Sequence, residues 1–520
     1  MKKLLTAFVG SMALSAAPMA MSAEATKELK MAYDADPVTL DIHEQLSGGM
    51  LQLSHMTFDP LLRWTKDLGF EARLAESWER VDETTMRFKL REGVKFHSGN
   101  ELTAEDVKFT FERLKSSPDY KAIFRPFTEV RIVDDHTFEL VTEKPYPLLL
   151  NAATYIFPMD SEFYSGETED GKAKDLIDKK GGSFASRNMS GTGPFVVADR
   201  QQGVRVEFER FDDYWDTESP GNVGKIVLTP IKENNTRVSA LLSGGVDYIA
   251  PVPPTDLDRI RNDKNVDLVT MTGTRIIMFQ LNQERVEAFK NPKVREAIAY
   301  AVNQEGIAAK IMKGFATPAA QMSPEGYQGH NPNLKPRYDI AKAQELMKEA
   351  GYEDGFTITM MAPNNRYVND DKIAQAVAAM LSRINIKVDL KTLPKAQYWP
   401  EFDDRAADMM MIGWHADTED SANFYEFLTF CPDSETGAGQ YNAGNYCNPE
   451  LDKLVEMANV ETDLDKRAEM LQTVEQRLYE DAAFIPLHWQ DLAWAAKKNV
   501  KIEPVLNVMN FPYLGDLVIE

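Results

Sequence analysis

The sequence predicts an α/β protein of two lobes joined by a hinge of crossing strands. Three observations carry this. The chain has 520 residues, too many for one compact core, so two or three lobes are expected. Residues 356–361, 386–390 and 409–412 read as strands with helical stretches between them, and that β-α-β-α-β order implies a parallel sheet. Residues 275–282 form a strand that carries the chain into a second lobe, while residues 483–488 run back toward the first, where the tail 508–520 finishes. Two crossings make a hinge, and a ligand held between the lobes biases its closure.

Taken in order, the first lobe opens with a short strand within 29–40, a polar loop at Ser47, Gly48 and Gly49, and a helix over 50–58. Residues 85–91 place Met86, Phe88 and Leu90 on one face, as a half-buried strand does. Thr103 and Asp106 sit at capping-box spacing before a helix whose face is Val107, Phe111 and Leu114. Strands follow at 204–211, 225–229 and 246–250, with a helix over 234–242 between the last two. In the second lobe, Asn291 and Pro292 form a helix start, and Val294, Ala297, Ile298 and Ala301 form its buried face. Helices are expected over 339–350, through Ile373, Val377, Met380 and Ile384, and over 397–405.

The stretch 408–423 organises the second lobe. Met409 to Ile412 is a buried strand, and the strand signal stops at Gly413 and Trp414. A turn with His415, Asp417, Glu419 and Asp420 follows, then the helix-like run 424–428. Open α/β sheets place ligand groups at such strand ends, and Arg366 follows the 356–361 strand in the same way. Glu419 and Asp420 read as solvated surface acids.

Composition narrows the function. The formal net charge of −23 argues against nucleic acid or an anionic membrane as partner. Lys2 and Lys3 precede an apolar stretch and small residues, the layout of a secretory signal peptide over 1–23, with cleavage near Ala23 or Ala25. No Cys lies near that point, so a lipoprotein is not expected, and the localisation expected is the periplasm. The two cysteines, Cys431 and Cys447, read as a disulfide in an exported protein. No catalytic motif is present, the seven His are scattered, and no metal or cofactor is expected. Residues 166–173 nearly spell a phosphate loop, but Ala173 replaces the magnesium-binding hydroxyl, and the acidic residues would repel phosphate. A surface loop is the expectation there.

Three blocks in order, Leu74-Ala-Glu-Ser-Trp-Glu, Phe88-Lys-Leu-Arg-Glu-Gly-Val-Lys-Phe-His-Ser-Gly and Leu102-Thr-Ala-Glu-Asp-Val-Lys-Phe, resemble the signature of the family 5 extracellular solute-binding proteins. These are the dipeptide, oligopeptide and nickel receptors of ABC importers. Ser190-Gly-Thr-Gly-Pro-Phe195, the helix after Asn291 and the strand at 483–487 resemble later blocks of the same family. The resemblance implies a hinged periplasmic binding protein fold (type II, cluster C-like) with an extra N-terminal subdomain. It implies a first lobe over 24–275 with that subdomain at about 60–185, a second over 276–485 and a return over 486–520. Trp78, His97 and Thr103 in the signature block are read as architecture, since packing and capping explain them without a ligand.

The resemblance also implies a function and a site. The partners would be a short peptide and a membrane ABC permease, the protein a monomer. The family's Gly-Trp-x-x-Asp pattern falls on Gly413, Trp414 and Asp417, which gives Asp417 the peptide α-ammonium. The family's carboxylate-clamping Arg matches Arg366, followed directly by Tyr367 where the dipeptide type has an intervening Pro. A carboxylate suits an ammonium, and an Arg fork suits a carboxylate. His415 is placed to face ligand side chains, and Ser47 and Gly48 to approach the ligand from the first lobe. Alternatives are a same-fold receptor for an oligosaccharide, a metal complex or an antimicrobial peptide, and a secreted hydrolase. Trp399, Trp414 and Trp489 keep the oligosaccharide reading open.

Overall fold

A computed structural model of the chain describes residues 25–37, 39–178, 182–416 and 418–520. The expected signal peptide and Asp417 lie outside the described residues.

One mixed sheet of 11 strands runs through the molecule. From one edge its order is Ile386–Leu393, Phe356–Pro363, Met409–Trp414, Val266–Leu281, Phe484–Lys497, Tyr248–Ile249, Lys27–Tyr33, Val223–Pro230, Arg205–Arg210 and Phe195–Gln201, and Thr317–Pro318 pairs on the side with Phe484–Lys497. The first three are parallel to one another, as the helix-separated order demands. Met409–Trp414 is antiparallel to Val266–Leu281. Two expectations are corrected here. The Met409–Trp414 strand extends through Gly413 and Trp414, which pair with Ile277 and Ile276. Gly48 and Gly49 open the helix Gly48–Thr57, with Ser47 at its N-cap, where a loop was expected.

The run Met409-Met-Met-Ile412 is continuously apolar because both faces of the sheet are covered. Met409 and Met411 enter one core with Ile358, Val294 and Ile485, whereas Met410 and Ile412 enter another with Tyr398, Phe424 and Tyr425. The first lobe has its own cores, and the signature-block strands Ala75–Asp82 and Thr85–Leu90 join Thr137–Thr142 and Phe127–Asp134 in a separate four-stranded antiparallel sheet. Phe88 and Phe111 of that subdomain belong to the same apolar cluster as Leu29 and Met31, so it is fused to the first lobe.

The signature residues are structural, as read. The Asp106 carboxylate accepts from the Thr103 backbone N–H at 2.8 Å and from its hydroxyl at 3.0 Å. His97 Nε2 lies 3.0 Å from the Gly193 carbonyl, and burial lowers its pKa to about 4, so the ring is neutral. Residues 166–173 form an exposed turn bridged between Glu167 and Ala173. The Cys431–Cys447 disulfide is present. No helix among the described residues is long and apolar enough to cross a membrane.

Among the described residues, two long strands pass from lobe to lobe along the sheet, Val266–Leu281 and Phe484–Lys497. They pair over Val266–Thr272 in the first lobe and from Ile276 in the second, and the register breaks between. Thr272, Thr317 and Asp491 form a hydrogen-bonded chain at the break, at 2.8 and 3.0 Å, and burial raises Asp491 to about 6. A second bridge joins the lobes away from the strands: Asn151 Nδ2 donates to the Thr418 carbonyl at 2.9 Å.

Candidate ligand cavity

A cavity of about 520 Å³ opens where the second-lobe strands end. Its lining draws on five places in the chain. The register break of the crossing strand supplies Arg275, and the loop after Phe356–Pro363 supplies Arg366 and Tyr367. The helix Lys395–Asp403 supplies Trp399 and Asp403. The end of Met409–Trp414 supplies Gly413, Trp414 and His415, and the disulfide-closed loop supplies Gln440 and Tyr441.

The loop carrying Arg366 is fixed by its backbone. Asp370, buried at the start of the next helix, accepts from the N–H groups of both Arg366 and Tyr367 at 2.9 Å. Tyr367 then lies over the strand end, accepting from the Gly413 N–H at 2.8 Å and donating to the Gly413 carbonyl at 3.2 Å. Gly413 is required there, because a Cβ would stand 2.5 Å from Ile277 Cδ1 and 2.7 Å from the Tyr367 ring. Arg366 is exposed, its guanidinium 5.0 Å from the centre of the Tyr367 ring. It makes no ion pair among the described residues. An Arg held by its backbone with its head in solvent is available for a carboxylate.

Trp414 is anchored at its nitrogen, donating to Asn423 Oδ1 at 2.8 Å, and packs against Phe427 and Tyr441 with ring centres 5.3 and 4.8 Å apart. His415 Nδ1 is 2.8 Å from the Thr274 hydroxyl at the register break, and its Nε2 is 3.2 Å from Glu419.

Glu419 and Asp420 are not solvated; this corrects the reading of the acidic turn. Both are buried, at 6% and 2% exposure. Glu419 accepts from the Tyr327 hydroxyl and faces His415. Burial, reinforced by the Glu419 charge, holds the Tyr327 phenol well above its usual range. Asp420 takes both arms of the buried Arg467 guanidinium at 2.7 Å and caps the helix Ser421–Leu428 through the Ala422 N–H. Each buried carboxylate has hydrogen-bonding partners, as a polar group taken out of water requires.

Ser47 and Gly48 line a different cavity, of about 360 Å³, in the first lobe. Its walls are mainly apolar, with Asp34 and Asp36 at its rim and no cation in the lining. Both cavities lie at C-terminal ends of parallel strands, but the structure does not place Ser47 and Gly48 against Arg366. Trp489 is core: it is 8% exposed, with its indole N–H donating to the Met322 carbonyl.

Sequence reasoning missed Arg275, Asp403, Gln440 and Tyr441. Arg275 carried the one available signal, a charge just before the apolar run Ile276-Ile-Met-Phe279. No group of His, Cys, Asp and Glu among the described residues is arranged to hold a metal.

The family model for bacterial extracellular solute-binding proteins, family 5, matches residues 69–436. The chain belongs to that family. Among its relatives, the dipeptide-binding protein of Escherichia coli (strain K12) is 27% identical over 454 residues, 82% of each chain. The glutathione-binding protein GsiB of Salmonella paratyphi A is 26% identical and covers 95% of each chain. Among solved structures, the periplasmic binding protein DppA of Helicobacter pylori, in complex with the peptide STSA, shares 24% identity and superposes with a TM-score of 0.72 over 95% of this chain and 98% of its own. The two-lobed α/β architecture of this family 5 protein is thus that of its structural neighbours.

The Gly413–Tyr367 contact gives a direct test of how the cavity wall is built. Gly413→Ala should lower stability by about 1–3 kcal/mol in urea titrations, since neither neighbour can retreat without losing packing or a hydrogen bond. A variant as stable as the parent would show that the wall is soft.

Proposed function

We propose that this family 5 protein is a periplasmic receptor that captures short peptides between its lobes and delivers them to a membrane ABC permease. The observation that carries the reading is the backbone-fixed Arg366, without an ion-pair partner among the described residues, in a cavity at the strand ends of a hinged protein. A peptide with free termini offers a carboxylate for that guanidinium. Asp417, by its place in the Gly-Trp-x-x-Asp pattern, takes the α-ammonium. The dipeptide- and glutathione-binding names of the relatives agree with a ligand of this kind. The protein works as a monomer after its leader is removed near Ala23 or Ala25, and it binds its ligand without turning it over.

The hinge and the cavity share residues. Arg275 lines the cavity from the register break, and Thr274 touches His415 there. A ligand seated on Arg275 and His415 therefore acts on the segment that must bend for closure. Ser47 and Gly48 reach the same ligand from the first lobe when the lobes close.

Two substitutions separate the roles. Asp417→Ala should cost on the order of 2–5 kcal/mol of peptide affinity by calorimetry, the effect of leaving a buried ammonium unpaired. Unchanged affinity would remove Asp417 from the site. Arg366→Ala should weaken peptides with a free C-terminus more than their amidated forms. Equal losses would mean that Arg366 does not read the terminus.

A further inference from the structure

Three aromatic side chains of the cavity, Trp399, Trp414 and Tyr441, are only partly buried, in a lobe whose other aromatics are largely packed away. Ring surface facing a cavity gains free energy when an apolar group covers it, in proportion to the area removed from water. We infer that Tyr441 is a specificity-determining residue: held by the disulfide-closed loop, it forms one wall of an aromatic recess that takes a bulky apolar side chain of the ligand, a role that rests on the peptide reading above.

The position of Tyr441 is fixed from every side. Its N–H donates to the Phe427 carbonyl at 3.0 Å, and its carbonyl accepts from Gln280 Nε2 at 3.0 Å. Gln280 lies on the crossing strand and also accepts from the Ala443 N–H at 2.8 Å, so one side chain clamps both sides of the loop tip. Asn442, fully buried, donates to the carbonyls of Phe430 and Tyr446 at 3.0 and 2.8 Å. Gly439, two residues before Tyr441, has φ +59 and packs on the Phe430 carbonyl, where a side chain has no room. Cys431 and Cys447 tie the loop ends together. The Tyr441 ring rests on Trp414 at 4.8 Å.

A wall this constrained is in place before the ligand arrives, so ordering it costs little on binding. Rigid aromatic surface beside a carboxylate-binding Arg suits a peptide with a large apolar or aromatic residue near its C-terminus. The loop lies far from Arg366 in sequence, and the disulfide together with the Gln280 and Asn442 hydrogen bonds turns this Gly- and Asn-containing loop into a defined surface.

Calorimetry on the whole mature protein tests this with dialanine and trialanine against the same peptides carrying one Phe at each position. The best Phe peptide should bind about tenfold tighter than its alanine parent, the scale on which an apolar pocket discriminates. Tyr441→Ala should reduce that ratio to about threefold or less, and Tyr441→Phe should preserve it. The double variant Cys431→Ser/Cys447→Ser, verified as folded by circular dichroism, should reduce the ratio as well, because the loop no longer fixes the ring. A ratio near one in the parent, or one that survives Tyr441→Ala, overturns the inference while peptide binding stands. If no peptide of the set binds, the peptide reading falls and this inference with it.

Discussion

The site depends on the pairing of one long strand, Val266–Leu281, with Met409–Trp414 on one side and Phe484–Lys497 on the other. Its first half belongs to the first lobe and its second half to the second, and the ladder to Phe484–Lys497 is interrupted between Thr272 and Ile276. Regular pairing would leave a stiff ribbon. The interruption takes Thr274 and Arg275 out of that ladder; Thr274 meets His415, and Arg275 joins the cavity lining. Flexibility and recognition thus occupy the same few residues, which is the economical way for a bound ligand to bias a hinge. The strand that supplies Trp414 is pinned against this one from Leu281 to Ile276, so cavity and hinge cannot move independently.

Behind the cavity stands a polar layer that a strongly acidic protein would not obviously need. Asp420 forms an ion pair with Arg467 out of water, and Glu419 is buried against the Tyr327 hydroxyl and His415. Such pairs contribute little net stability over an apolar core, because desolvation offsets the attraction. Their effect is geometric: the partners Tyr327 and Arg467 are on other segments, so the pairs anchor Glu419 and Asp420 at the start of the Ser421–Leu428 helix. Asn151 holds the same turn from the first lobe through the Thr418 carbonyl.

Much of this was legible in the sequence, for identifiable reasons. The Met409–Ile412 run announces a strand covered on both faces, and the alternation of strand and helix gives the parallel arrangement. Arg366 was found because it follows such a strand. Glu419 and Asp420 were misread because burial of a charge is decided by its partner, and the partners lie 92 and 47 residues away in the chain. Nothing local distinguishes an acid that will meet Arg467 from one that meets water. Tyr441 was invisible for a related reason. It reaches the cavity through a loop whose path is set by a disulfide and by Gln280, both long-range constraints. Trp489 failed the other way: an aromatic beside the returning strand looked like ligand surface, yet it completes the core.

The proposed function requires the cavity to select a molecule with an anionic terminus and an apolar body, a short peptide. The most direct measurement is mass spectrometry of whatever is released when protein purified under native conditions is denatured. Short peptides with free C-termini are the expected result. Release of an oligosaccharide or a metal complex, with peptides absent, would contradict the account.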